Sequence, residues 1–363
     1  MLVPRFATGV RLLVVALALV GCTTVYDRAG PKEPPEVQPS PTQAWTPPAA
    51  AYPHYGGADV RWPEPYTRAK PPPHAYGAVL TTGQAALTNG RALVAGLTLP
   101  IVEGPFSAPV VLTPCLTRVR LAGSSFEHIA PADEARKVVV LDPGHGGVDP
   151  GAVGPKGTPE SIRNLQVAQL VQRALENKVA HVVLTRSSDM TTLLGFRTAL
   201  ADALRASLAV SVHFNTSADG RSNTPGASMW GSFADPNGRR AAGVMFETVR
   251  AYLDTLSSTV GDRWLSNRDA GALYRVGSRG DFYFLLREGH ATWVLTESMY
   301  ISNPVEEQLL AHAAVRKGLA RAIADGAMRY LTTDAAGSGW RNPVDRGNPG
   351  SRGGPHCTDP YAA

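Results

Sequence analysis

The sequence predicts an α/β protein, a mostly parallel β-sheet flanked by helices and preceded by a small β-rich segment. Three observations predict it. From residue 137 onward, short apolar runs alternate with helical patterns, the mark of βαβ units. Several of these runs stop at Gly, Pro or a charged residue, where strands hand over to loops. Residues 76–130 instead break into short apolar runs (AVLTT, ALVAGLTLPIV, APVVL, TRVRLAG) separated by Gly, Pro and Asn, a pattern of several short strands.

The central run is KVVVLDPGHGG at 137–147. Val138, Val139, Val140 and Leu141 suit a strand buried on both faces, as in a parallel sheet. Asp142-Pro143-Gly144 ends the run and leaves His145 among glycines at the strand's carboxyl end, where open α/β sheets build their sites. Thr158-Pro159-Glu160 opens a helix, with Thr158 as N-cap and Pro159 in the first turn. Ile162, Leu165, Ala168, Val171 and Leu175 then form one buried stripe. HVVLTR at 181–186 is the next strand. Asp189 is positioned to cap a helix with Leu193, Phe196, Leu200 and Leu204 on its inner side. LAVSVHFN at 208–215 is a strand with His213 near its end, ASMWGSF at 227–233 is a fourth, and a helix covers roughly 238–256. TWVLTES at 292–298 carries Glu297 near its end. Asn303-Pro304-Val305-Glu306 reads as a capping box, with Asn in place of Ser or Thr, opening one helix to about Tyr330.

The flanks differ in kind. Residues 1–22 carry Arg5 and Arg11, an apolar run Leu12–Val20, then Gly21-Cys22, the parts of a signal peptide too short to span a bilayer. Leu19-Val20-Gly21-Cys22 resembles the lipobox of bacterial lipoproteins, in which cleavage leaves a lipidated Cys22. Residues 23–75 form a Pro-rich tether, with thirteen prolines in 31–73, unable to bury enough apolar surface to fold. Residues 76–134 form the β-rich module, whose role the sequence does not give. Residues 135–331 hold the chemistry, and the Gly/Pro/Asp-rich tail 332–363 is expected to be mobile. A formal net charge of +5, spread without a Lys/Arg block, gives no nucleic-acid patch. None of the three cysteines lies in a CxxC pair, so no cysteine zinc cluster is suggested. If Cys22 is modified, Cys115 and Cys357 remain and could pair in an oxidising compartment.

His145, Glu160, His213 and Glu297 thus fall at strand ends and one helix start. Two imidazoles and a carboxylate are the three-ligand set of a catalytic zinc site. A glutamate in a helix's first turn is favoured in the ionised form that a ligand needs. A further carboxylate outside that set, Glu297, could carry protons. Spacing alone decides little, because no HExxH-type motif is present. His54, His74, His128, His181, His290, His312 and His356 compete as ligands, and the residues by themselves do not choose.

From about 137 to 330 the chain resembles the catalytic domain of the zinc-dependent N-acetylmuramoyl-L-alanine amidases of the amidase-3 type. The resemblance rests on VVVLDPGHGGVDPGAVG (138–154), GTPESIRNLQVAQLV (157–171), VVLTRSSD (182–189), LLGFRTALADALRASLAVSVHFN (193–215) and VLTESMYISNPVEEQLL (294–310). It implies Zn2+ held by His145, Glu160 and His213, with Glu297 as the catalytic base. It implies more weakly that Asn215 and Arg268 lie near substrate. It also implies peptidoglycan as substrate, cleaved between N-acetylmuramic acid and L-alanine of the stem peptide.

Some positions depart from the family's pattern. Ser161 stands where lysine is common, Met299-Tyr300 where Gly-Phe is usual, and Phe214 where a small residue is common. Phe214 and Tyr300 are therefore expected to narrow or reshape the cleft. Some relatives carry a long inserted helix that plugs the site until a partner protein removes it; no obvious long insertion is seen in this sequence, and 234–290 is the place one could hide. The expectation is an exported, lipid-anchored zinc amidase of the cell envelope. Its rivals are a non-catalytic wall-binding or regulatory lipoprotein of the same fold, and a zinc peptidase acting on stem peptides.

Overall fold

The computed structural model describes residues 79–82, 85–88, 91–94, 97–103, 109–123, 126–128, 137–176, 178–179, 181–217, 226–256, 270–341 and 357. The leader with Cys22, the Pro-rich tether and Arg268 lie outside the described residues. No helix among the described residues is long and apolar enough to cross a membrane.

The β-rich segment is one seven-stranded sheet built from β1 (Val79–Thr82), β2 (Ala85–Thr88), β3 (Arg91–Val94), β4 (Leu97–Glu103), β5 (Val110–Leu112), β6 (Arg118–Gly123) and β7 (Phe126–His128). Their order is β1-β6-β5-β4-β3-β2-β7. The main sheet comprises β8 (Val138–Pro143), β9 (His181–Leu184), β10 (Leu208–Asn215), β11 (Ser228–Gly231), β12 (Gly271–Leu273) and β15 (Trp293–Tyr300). It is ordered β12-β11-β15-β10-β8-β9. Every pairing is parallel except that of β11 with β15, so the mostly parallel sheet is as expected. A small hairpin, β13 (Val276–Gly277) and β14 (Gly280–Asp281), stands apart.

Six helices complete the described chain: α1 (Glu160–Leu175), α2 (Leu194–Ala203), α3 (Pro236–Asp254), α4 (Phe284–Glu288), α5 (Pro304–Ala311) and α6 (Ala313–Thr332). Alternation along the strands divides two cores, because successive side chains point to opposite faces. Val139, Leu141, Val210, Val212 and Phe214 pack with α1, α3 and α6. Val140, Ala209, Trp230, Trp293 and Leu295 pack with Phe196 and Leu200 of α2, and with Leu99, Val111, Val119 and Leu121 of the seven-stranded sheet. The N-terminal sheet is therefore one wall of the second core. Within 234–290, α3 buries Val244, Met245, Phe246 and Val249 in the first core, and 257–269 lie outside the described residues.

Local details correct several expectations. Helix α1 starts one residue later than a Thr158 cap requires: Pro159 is the N-cap and makes no side-chain capping bond. The buried stripe of α1 runs through Ser161, Asn164, Val167, Ala168, Val171 and Leu175, while Ile162 and Leu165 are only half-buried. Asn164 faces the functional site, donating to the Gly144 carbonyl and Glu160, and with buried Ser161 it interrupts the hydrophobic period. Asp189 does not cap α2, whose N-cap is Leu193; its carboxylate accepts from the Gly147 N–H instead.

Asn303 does cap, accepting from the Val305 and Glu306 N–H groups. Glu306 turns away from the reciprocal bond of a capping box and accepts from the Tyr300 N–H. The single helix expected to Tyr330 is broken at His312, which is extended at φ −79° and ψ 126°. Arg316 Nη1 donates to the Leu310 and Ala311 carbonyls there, satisfying the open end of α5.

The tail is held rather than mobile where it is described. Trp340 bridges Ala272, the Arg341 N–H donates to the Ala272 carbonyl, and Cys357 is disulfide-bonded to Cys115 with Cα atoms 5.4 Å apart.

Candidate metal centre

Three elements bring three side chains together. His145 follows β8 in a turn of φ 60°, a left-handed conformation that non-glycine residues seldom adopt. His213 lies near the carboxyl end of β10, and Glu160 opens α1. One ligand atom from each lies within 4.8 Å of the others. Nε2 of His145 is 3.3 Å from Glu160 Oε2, and Nδ1 of His213 is 3.0 Å from Glu160 Oε1. The imidazoles meet edge-on, with centroids 4.8 Å apart at 80°. The approach demands glycine. A Cβ at Gly144 would fall 2.1 Å from the His213 ring, and one at Gly151 would fall 2.6 Å from Glu160 Oε2.

The donor set is held from behind. Asp149 Oδ2 lies 2.7 Å from His145 Nδ1, which orients the ring and presents Nε2 to the centre. Glu160 is buried yet satisfied: the Ala152 and Phe214 N–H groups and the Asn164 amide all donate to it. The carbonyls of the DPGH turn are gripped by two buried arginines. Arg186 donates to the Pro143, Gly144 and Ser161 carbonyls. Arg197 donates to the Pro143 and His145 carbonyls and pairs with Asp142 at 2.7 Å. Thr185 and Ser211 donate to the same Asp142 carboxylate.

The electrostatics follow from these contacts. Burial alone would raise the Glu160 carboxyl, but the two histidines hold it well below the usual range. Burial would likewise lower His145, yet Asp149 and Glu160 push it up to about 10. His213, more deeply enclosed, is lowered by that burial. Asp142 pays burial but stays below its ordinary value beside Arg197, Thr185 and Ser211. Two imidazoles and an ionised carboxylate within 4.8 Å of one another are the donor set of a catalytic zinc centre.

Glu297 adjoins this group. It is the register partner of His213 on the neighbouring parallel strand and of Ser228 on the antiparallel side. The ladder shifts register after it, so that Asn215 pairs with Tyr300, an irregularity of the kind that re-aims strand-end side chains. Asn215 sits at the same strand end, 7% exposed, with its Oδ1 accepting from the Thr216 N–H. The structure corrects the cleft-narrowing expectation: Phe214 is 1% exposed within the helical core and Tyr300 is 3% exposed, so neither lines an open cleft. His181, His290 and His312, which competed as ligands, do not join the cluster.

Asp142, Asp149, Arg186, Arg197 and Asn164 were missed as site residues. Asp149 stands four residues after His145, a spacing that carries a signal only once the turn is known. The arginines act through carbonyls, which leave no trace in side-chain patterns.

The chain is 33% identical over 224 residues to the N-acetylmuramoyl-L-alanine amidase AmiC of Neisseria meningitidis, covering 54% of this chain and 53% of that protein. It is 32% identical over 221 residues to AmiA of Escherichia coli, covering 54% of this chain and 76% of that one. The chain thus spans about half the length of the first relative and three quarters of the second. The catalytic domain of CwlV from Bacillus (Paenibacillus) polymyxa var. colistinus superposes with a TM-score of 0.44 at 32% identity, over 54% of this chain and 98% of that one. The profile of the amidase-3 family, described as N-acetylmuramoyl-L-alanine amidase, matches residues 139–329, more than half of the sequence, and the chain belongs to that family.

Proposed function

We propose that the protein is a zinc-dependent peptidoglycan amidase, cleaving the amide between the lactyl group of N-acetylmuramic acid and L-alanine of the stem peptide. The observation that carries the reading is the His145–Glu160–His213 group, with Glu297 as register neighbour of His213, in a chain of this family. His145 Nε2, a Glu160 oxygen and a His213 ring nitrogen would hold the ion. Bound zinc supplies Lewis acidity, polarising a carbonyl and acidifying water.

The chain's own residues do the rest. Asp149 keeps the His145 ring turned, and Arg197 and Arg186 fix the turn that carries it. Glu297 accepts the proton of the attacking water and delivers it to the departing amine of L-alanine. Asn215 and Arg268 are carried as weaker substrate-side candidates. The signal-like leader and Cys22 support export and lipid anchoring, with the Pro-rich tether between anchor and enzyme.

The test is digestion of purified peptidoglycan by the zinc-loaded protein, followed by mass spectrometry. Release of whole stem peptides with a free L-alanine amine, leaving the glycan uncut, is expected. Shortened stems still attached to glycan would replace the amidase by a peptidase. No release from any wall preparation would leave a non-catalytic protein.

A further inference from the structure

Residues 189–197 support the His145 turn from one side. The Thr191 hydroxyl and Asp189 carboxylate accept from the Val148 and Gly147 N–H groups, and Arg197 donates to the His145 carbonyl. The fit is close. A Cβ at Gly146 would lie 2.4 Å from the Met190 carbonyl oxygen, and one at Gly147 would lie 2.4 Å from Thr191 Oγ1.

The opposite side of the same segment rests on the N-terminal sheet. The Leu193 N–H, immediately before α2, donates to the Pro114 carbonyl at 2.9 Å. Leu116 packs at 3.3 Å from the place where a Cβ on Gly195 would sit, so glycine in the first turn of α2 makes room for it. Pro114 and Leu116 belong to the tight β5–β6 loop, closed by the Thr113 N–H to the Thr117 carbonyl and the Leu116 N–H to the Thr113 carbonyl. Leu116 itself is held at φ 67°. Between them stands Cys115, bonded to Cys357 across 242 residues.

The geometry points to the Thr113–Thr117 loop as a positioning element for His145, acting through the 189–197 segment and fixed by the Cys115–Cys357 bond. This gives the N-terminal sheet a task in the metal centre: it is a back wall for the metal-binding turn. Leu116 is the positioning residue, two contacts removed from any ligand. The consequence for catalysis rests on the amidase reading, whereas the placement of the turn does not.

The experiment compares full-length wild type, Leu116→Ala, Leu116→Met and Cys115→Ser. It measures zinc affinity by chelator competition, kcat and KM on peptidoglycan, and hydrogen exchange at the Gly147 and Val148 amides. Leu116→Ala is expected to weaken zinc about tenfold, the lower end for residues that orient ligands. It should also lower kcat more than it changes KM and speed exchange at both amides. Leu116→Met should restore all three, and Cys115→Ser should shift them in the same direction as Leu116→Ala. Unchanged zinc affinity and unchanged amide exchange in Leu116→Ala and Cys115→Ser, with only a lower melting temperature, would overturn the proposal. If the wild type neither binds zinc nor cleaves wall, the amidase reading fails, and amide exchange still decides whether this loop holds the turn.

Discussion

His213 on β10 and Glu297 on β15 are register partners in adjacent parallel strands, and each is the one residue of its strand that is not fully buried. Side chains at paired positions stand on the same face of a sheet, about 4.8 Å apart along the hydrogen-bonding direction. A candidate ligand and a candidate proton carrier separated by 84 residues are thereby set side by side in one sheet.

That adjacency separates binding from turnover. Glu297→Gln keeps shape and removes the proton acceptor, so zinc should bind as in the wild type while kcat falls at least about 10²-fold. His145→Ala should lose both. Metal content by atomic absorption and amine release from peptidoglycan check the pair; a fully active Gln variant would remove Glu297 from the mechanism.

The raised pKa of His145 makes zinc binding compete with a proton. Affinity should climb with pH up to about 10, because the imidazole must lose its proton to bind. Asp149→Asn removes the first of the contacts that raise that value and should move the climb to lower pH. In protein stripped by a chelator, the protonated ring stabilises the fold fully below its ordinary value of 6.5, and that contribution is lost as pH rises through about 10. Isothermal titration and melting curves across pH 6–10 read both effects.

Arg197 neutralises a carboxylate that is wholly buried. Arg197→Met leaves Asp142 without its charge partner and should cost about 3–5 kcal/mol. In the wild type, the folded pKa of Asp142 lies below 3.8, so its contribution is present above that value and fades as pH falls toward the depressed one. Urea unfolding of the two proteins at pH 7 and pH 3 should show a difference that narrows in acid.

Cys115→Ser opens a tie across 242 residues of sequence. Loop-closure entropy sets the loss at about 5 kcal/mol as an upper figure, since native contacts of the tail persist. Reduction of the wild type should lower its melting temperature toward that of the variant, and an unchanged melting point on reduction would show that the bond adds no stability.

The strand ends were legible because apolar runs stopping at DPGH, VHFN and LTES need no partner information: local chemistry ends each strand beside a functional group. The first turn of α1 was less legible. Asn164 is buried for hydrogen bonding rather than for hydrophobicity, and with the small polar Ser161 beside it on the buried face it blurred the period on which the stripe was drawn. The break at His312 was invisible because the carbonyls it frees are taken up by Arg316, whose guanidinium closes α5 from within the next helix, a contact no periodicity records.

The sequence by itself determined the α/β class, the strand ends that carry His145, His213 and Glu297, and the helix start that carries Glu160. Each of these depends on short-range patterning and capping. Only the tertiary structure decided that β15 lies beside β10, that Arg186 and Arg197 grip the carbonyls around His145, and that the N-terminal sheet backs the same turn. These are contacts between segments tens to hundreds of residues apart, made through backbone carbonyls and packed cores, and no local periodicity records them.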